Sequence, residues 1–295
     1  MRPGDTRHRT ARIAFAVSAA LAIALILAPS AFAGFITPKT GGSPNADQIS
    51  SLYKIVLYVA AVVFVIVEGA LAYSVYRFRA KKNPVAAQIH GNTRLEIGWT
   101  IAAALILVVL TVVTFAKLPS IISAPNSDSD GLVLSASTTQ PNPPSGDKYV
   151  ICVQGRQYIW RYTYGAGCLN SAYADKLPYS YTTMYAPAHT TIVLKIQSTD
   201  VIHSWWIPSL GGKVDAVPGY TTFTWFKAAK SNALYHGQCA QLCGVGHYAM
   251  VAYVQTMTPT NFQSWLKYQS TAINNANDQV SQLRQQLTAT NNLGF

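Results

Sequence analysis

Residues 235–250 read YHGQCAQLCGVGHYAM and carry the spacing C-x3-C-x3-H-x2-M at Cys239, Cys243, His247 and Met250. Thiolate, imidazole and thioether are soft or borderline donors, the set that suits copper. With 4 cysteines, 6 histidines and 4 methionines in 295 residues, chance yields this pattern on the order of 10⁻⁵ times per chain, so it is specific. Gly237, Gly244 and Gly246 permit a tight loop that turns both thiols and the imidazole inward. One thiolate, two imidazoles and an axial thioether make a mononuclear blue-copper site, whereas this pair of thiolates can instead bridge two copper ions. A second imidazole must come from elsewhere, and His203, within DVIHSWW at 200–206, is the leading candidate. Three other readings stay open. A Cys239–Cys243 disulfide in an oxidising compartment gives His247 and Met250 no task. Zinc takes methionine poorly. A thioredoxin-fold copper chaperone with C-x3-C has its histidine far downstream, not four residues on.

Outward from this loop, short runs rich in aromatic and β-branched residues recur at 149–153, 157–164, 190–197, 201–207, 221–227 and 250–257. Runs of this length between turn signals predict an antiparallel sandwich or barrel over 148–258. Residues 172–177 are ambiguous. The segment 260–289 reads as a C-terminal helix, with Phe262, Trp265, Leu266 and Tyr268 near its start and a polar end, within a final region 259–295. Residues 119–147 read as a linker, with Pro119, Pro125, Pro141, Pro143 and Pro144 among Ser, Asn and Asp.

The N-terminal part belongs to another solvent. Half of the chain is apolar and only 11% is charged, against about 25% in a soluble domain. A plain soluble globule and a disordered chain are thereby excluded. Arg2, Arg7, Arg9 and Arg12 precede an apolar stretch at 13–27 and the sequence Ala31-Phe32-Ala33. These are the parts of a signal peptide over 1–33, cut before Gly34, the alternative being an uncleaved first helix. No cysteine follows the cut, so no lipid anchor is expected there.

Two apolar runs, 55–76 and 97–116, are long enough to span a bilayer as helices. The loop between them holds Arg77, Arg79, Lys81, Lys82 and Arg94 and no acid, which keeps it in the cytoplasm. The region 34–118 is thus expected to be a two-helix transmembrane hairpin, with everything after it extracytoplasmic. Much of the formal charge of +11 lies in the signal region and in this loop, so it addresses a membrane, and no nucleic-acid partner is expected. Glu68 sits inside the first span; such residues face protein rather than lipid, here a proton path or, as we expect, a buried bond to a neighbouring subunit.

The chain resembles subunit II of the haem–copper cytochrome c oxidases over almost the whole mature chain. The resemblance is carried by HGNTRLEIGWT at 90–100, by DVIHSW at 200–205, by IPSL at 207–210, by Lys213 with DAVPG at 215–219, and by the cysteine loop. It implies a cupredoxin-like all-β sandwich on the membrane hairpin and a binuclear copper centre. Cys239 and Cys243 would bridge the two coppers, His203 and Met250 would complete one, and His247 and the backbone carbonyl of Gln241 the other. It implies a copper-bearing subunit in a bacterial cell membrane that relays electrons from cytochrome c or another donor to the haems of subunit I, with subunit III a further partner. The haem-attachment motif C-x2-C-H is absent, so this chain is expected to hold no haem.

Two departures matter. Gln241 stands where the family often has Glu, and its neutral amide is a poorer ligand for a hard cation, which counts against the interfacial magnesium site. Tyr158, in QYIWRY at 157–162, stands where the family usually has Trp as the point where electrons enter, and Tyr158 is expected to take that role with Trp160 in the core. By resemblance Trp205 and Asp215 are candidates for the subunit I interface, although Trp205 and Trp206 have packing as the plainer role. His236 falls where the family has an aromatic and is read as a hydrogen-bonded neighbour rather than a ligand. Cys152 and Cys168 flank a strand and its following turn in an exported domain, where a disulfide and two buried thiols are both open.

From residue 119 onward the chain has ten Lys or Arg against seven Asp and no Glu. An acidic docking patch is therefore not expected, and the donor is expected not to be strongly basic. A quinol oxidase of the same family would lack the copper ligands. The remaining alternatives are the copper subunit of a related nitric-oxide reductase and a membrane-tethered cupredoxin electron carrier or copper-delivery protein. A hairpin counts against the last, because a tether needs one span.

Overall fold

The computed structural model describes residues 37–81, 85, 88, 90–128, 148–165, 168 and 176–291. The signal sequence expected over 1–33, most of 172–177 and the greater part of the expected linker lie outside them. Helix α1 spans Pro44–Arg77 and α2 spans Thr93–Ile122. At 1.5 Å per residue, either helix exceeds the roughly 30 Å of a hydrocarbon core. None of their apolar stretch is covered by the rest of the chain, and Phe64, Val65, Leu107 and Val108 are all more than half exposed. So large an apolar surface is not carried in water; this is the surface of a membrane protein.

The cap of α2 is reciprocal. Asn92 accepts from the Leu95 N–H, and Glu96 accepts from the Asn92 N–H, so two otherwise orphaned donors are satisfied. The helix runs on through Pro119 to Ile122, beyond the point where the linker was expected to start. A proline so near the C-terminal end removes a single helix bond, and a later residue engages the carbonyl that follows it. That residue is Trp225, whose indole N–H donates to the Ile121 carbonyl at 2.9 Å. The Trp225 carbonyl in turn accepts from the Asn45 side chain at 2.7 Å, and Asn45, in the first turn of α1, is 2% exposed. The Ser43 hydroxyl completes the junction, accepting from the Lys227 N–H and donating to Asn45.

Among the described residues, ten strands make two five-stranded sheets. They are β1 Lys148–Arg156, β2 Ile159–Tyr164, β3 Tyr179–Tyr181, β4 Thr183–Pro187, β5 Thr191–Ser198, β6 His203–Trp206, β7 Val214–Ala216, β8 Thr222–Lys227, β9 Leu234–Cys239 and β10 Val251–Met257. One sheet has the order β3-β2-β1-β5-β8, the other β4-β10-β9-β6-β7. The sandwich is not antiparallel throughout: β1 pairs with β5, and β10 with β4, in parallel. Alternation places Ile192, Leu194 and Ile196 of β5 and Ala252 and Val254 of β10 inward with no exposure. Ile151 and Val153 of β1 join the same core, and Cys152, which alternates away from them, is bonded to Cys168. The disulfide is thus present.

Helix α3, Pro259–Asn291, docks by its first turns. Phe262 is fully buried against Tyr149, and Trp265 meets Tyr164 and Tyr185 at 4.9 and 4.7 Å between ring centres. After Ile273 every described residue of α3 is exposed.

Replacing both Cys152 and Cys168 by Ser is expected to cost the sandwich about 3 kcal/mol, the loop-closure entropy of a bridge of this span. Denaturant unfolding of the detergent-solubilised chain checks it; an unchanged midpoint refutes it.

Candidate metal centre

The cysteine loop leaves the sheet at the end of β9 and returns at the start of β10, two neighbouring strands. Its neck is closed by the Cys239 N–H donating to the Met250 carbonyl, and the Ala240 N–H donates to the Ser204 carbonyl of β6. A 3₁₀ turn at His247–Ala249 shapes the return. The tightness has a definite cause at two glycines. A Cβ on Gly244, whose φ is +130°, or on Gly246 would lie 2.5 Å from the Tyr158 ring or its hydroxyl. Gly237 acts differently from expectation: it lies within β9, where a Cβ would strike the Trp206 carbonyl at 2.0 Å.

Six donors converge. Cys239 Sγ lies 3.9 Å from Cys243 Sγ, 3.9 Å from His203 Nδ1 and 3.3 Å from the Gln241 carbonyl oxygen. Cys243 Sγ lies 3.6 Å from His247 Nδ1 and 3.9 Å from Met250 Sδ. A tetrahedral ion with bonds of about 2.0–2.3 Å holds its ligand atoms roughly 3.3–3.8 Å apart; the 3.3 and 3.6 Å spacings fall in that range and the three of 3.9 Å lie just above it, so these groups could hold metal. The spacing of the two thiols is not that of a disulfide, whose sulfurs lie about 2.05 Å apart. His203, Cys239, Cys243 and Met250 are each at most 5% exposed. His203 enters as the first residue of β6, paired with Ala216 of β7 and beside the loop's neck.

Burial and then the neighbouring Cys239 push the Cys243 thiol up to about 11, so a metal that binds there must displace its proton. Asp200 behaves in the opposite sense. Partial burial pushes it up, but bonds from the Gln157 N–H, His203, the Val201 N–H and the Ser198 hydroxyl outweigh this and hold it at about 2. Its Oδ1 lies 2.9 Å from His203 Nε2. An ionised carboxylate accepts, so Nε2 carries the proton and Nδ1 is free to face Cys239. Gln157 reaches the same place: its side-chain amide donates to the Cys243 carbonyl at 2.7 Å and its N–H to Asp200 Oδ2 at 2.6 Å.

Other residues singled out by the sequence are distributed as follows. Tyr158 is partly buried with its ring on Gly244 and Gly246. Trp160 is fully buried, edge-on to His203 at 5.9 Å. Trp205 is 2% exposed and its indole donates to the Tyr162 hydroxyl, so within this chain it packs the core. Trp206, on the other face, has the Lys213 ammonium over its ring at 5.0 Å. Asp215 and Glu68 are exposed. His236 is exposed and edge-on to Tyr253, away from the donors. Asp200 and Gln157 were missed as site residues; an Asp three residues before the ligand-candidate His was the one available signal.

Two facing sheets with a soft-donor loop between neighbouring strands, mounted on an apolar hairpin, define a cupredoxin-like copper domain of a membrane protein. The chain belongs to the cytochrome c oxidase subunit II family: residues 33–116 match its transmembrane domain and residues 169–257 its periplasmic domain. The probable cytochrome c oxidase subunit 2 of Rickettsia felis is 29% identical, over 90% of this chain and 83% of its own. Cytochrome c oxidase subunit 2 of Cereibacter sphaeroides is 29% identical over 78% of this chain and 81% of its own. The periplasmic domain of subunit II of the cytochrome oxidase of Bradyrhizobium japonicum, a solved structure, is 27% identical, covering 42% of this chain and 95% of that one with a TM-score of 0.38.

Asp200→Ala leaves the buried His203 N–H without its acceptor and is expected to weaken copper binding about 10–100-fold. Competition against a copper chelator measures this; wild-type affinity in the variant refutes it.

Proposed function

We propose that this chain is the electron-accepting subunit of a terminal oxidase in a bacterial cell membrane. With its sandwich on the extracytoplasmic side, it takes electrons from an external donor and passes them to the haem-bearing subunit I, where oxygen is reduced and protons are pumped. The observation that carries this reading is the pair of thiols 3.9 Å apart, with each of the four other donors within 4 Å of one of them.

In this reading Cys239, Cys243, His203, Met250, His247 and the Gln241 carbonyl would hold two copper ions, His203 and Met250 serving one and His247 and the Gln241 carbonyl the other. Copper held there would supply one-electron transfer. The chain's part is to keep the donors still. Strand ends fix Cys239 and His203, the 3₁₀ turn fixes His247, and burial shields His203, Cys239, Cys243 and Met250. The neutral Gln241 side chain disfavours a hard cation beside the centre, so no interfacial magnesium is assigned.

Tyr158 is the proposed point where electrons enter, since its ring is the partly exposed group lying on the loop. Asp215, exposed on β7, and Glu68 are assigned to the interface with subunit I. The signal peptide is assigned to 1–33. With ten basic and seven acidic residues from 119 onward, the external donor, cytochrome c or another carrier, is not strongly basic.

Copper analysis with electron paramagnetic resonance tests the central reading: two coppers per chain sharing one unpaired electron are expected, and one copper with a mononuclear signal overturns it. The chain is expected to purify with a haem protein. Tyr158→Ala is expected to slow electron uptake several-fold at unchanged copper content; unchanged uptake ends that assignment. Uptake that is fast from a strongly basic cytochrome c and falls steeply with salt would refute the donor assignment.

A further inference from the structure

We propose that Gln157 is a positioning residue of the metal centre, clamping the cysteine loop to the β1–β2 turn and, through Asp200, to His203. The proposal rests on the binuclear reading above. Among the side-chain donors, Cys243 has the least local support. Cys239 ends a strand, His203 begins one, Met250 adjoins β10, and His247 starts the 3₁₀ turn. Cys243 lies in none of these. Its carbonyl accepts from Gln157 Nε2 at 2.7 Å, across 86 residues of sequence.

The same residue reaches the other side of the centre. The Gln157 N–H donates to Asp200 Oδ2 at 2.6 Å, and Asp200 Oδ1 accepts from His203 Nε2 at 2.9 Å. One unbroken chain of hydrogen bonds thus runs from the carbonyl of one bridging cysteine to the imidazole contributed by β6. Its middle member sits on the opposite sheet, at the turn between β1 and β2. The approach is close: a Cβ on Gly244 would lie 2.9 Å from Gln157 Nε2. The amide suits the place chemically. It supplies N–H donors without charge, whereas a carboxylate at this position would face the Cys243 carbonyl with no proton and stand beside ionised Asp200.

Gln157→Met keeps the side-chain length and the backbone bond to Asp200 but removes the donor, and it is tested in the full-length chain. In the metal-free protein, amide exchange over residues 243–247 is expected to quicken about tenfold, the effect of one lost hydrogen bond, while the melting of the sandwich stays near wild type. After copper loading, the stoichiometry is expected to hold at two and the copper hyperfine pattern to change. Gln157→Lys, which returns an N–H of similar reach, is expected to recover the exchange protection. Wild-type exchange and hyperfine pattern in Gln157→Met overturn the proposal. So does a lack of recovery with Lys, and so does global unfolding of the sandwich by Met, because a clamp on one loop leaves both sheets standing. A single copper in the wild-type chain would defeat the binuclear reading instead, and the exchange measurement, made without metal, tells the two failures apart.

Discussion

The carboxylate of Asp200 accepts from the Gln157 N–H, the Val201 N–H, the Ser198 hydroxyl and the His203 ring at the end of the sandwich where the donors gather. His203 has no exposure to solvent, so its ring N–H needs a protein acceptor or incurs the desolvation penalty of an unpaired buried donor. Supplying that acceptor also decides which ring nitrogen faces the thiols. The orientation of the imidazole, the position of the β1–β2 turn and, through Gln157, the seat of the loop all depend on one side chain that touches none of the sulfurs.

The second organising constraint is the passage from lipid to water. Helix ends leave backbone groups without helical partners, and here the ends that carry the sandwich are answered by it. Trp225 of β8 bonds to both helices, donating to the Ile121 carbonyl of α2 and accepting from Asn45 of α1. Lys117 of α2 donates to Gln48 of α1 at 3.3 Å, which ties the helices to each other near the same level. Among the described residues the apolar middle of the hairpin has no such partners, and its exposed surface is the part that lipid and neighbouring subunits cover.

Much of this was legible in the sequence. The donors of the loop lie within twelve residues, so covalent spacing alone brings them near each other, and His203 came through the resemblance of its neighbourhood. The longer strands and both spans followed from pattern. Short pieces did not: β3 and β4 are separated only by Thr182 at a φ of 60°, and β7 has three residues. The parallel pairing of β1 with β5 depends on contacts between distant segments, which local pattern does not encode. The bonds of Gln157 were hidden for the same reason, since its partners stand 43 and 86 residues away. Which of Trp205 and Trp206 packs inward was not legible either, because two adjacent tryptophans on a strand face opposite ways and pattern alone does not say which faces in.

The junction at Trp225 has a mechanical consequence. A domain joined to a membrane anchor by a slack connection wanders over the bilayer, and the gap between its cargo and any fixed acceptor fluctuates with it. Here the outer ends of both helices are bonded to the same residue of a core strand, and that strand belongs to the sheet whose opposite end meets Asp200 through β5 and β1. The sandwich therefore rides on the hairpin as a stiff head on a two-legged strut. Height and tilt above the lipid are inherited from the helices, and a change in their lean would be transmitted to the loop as displacement rather than absorbed as slack.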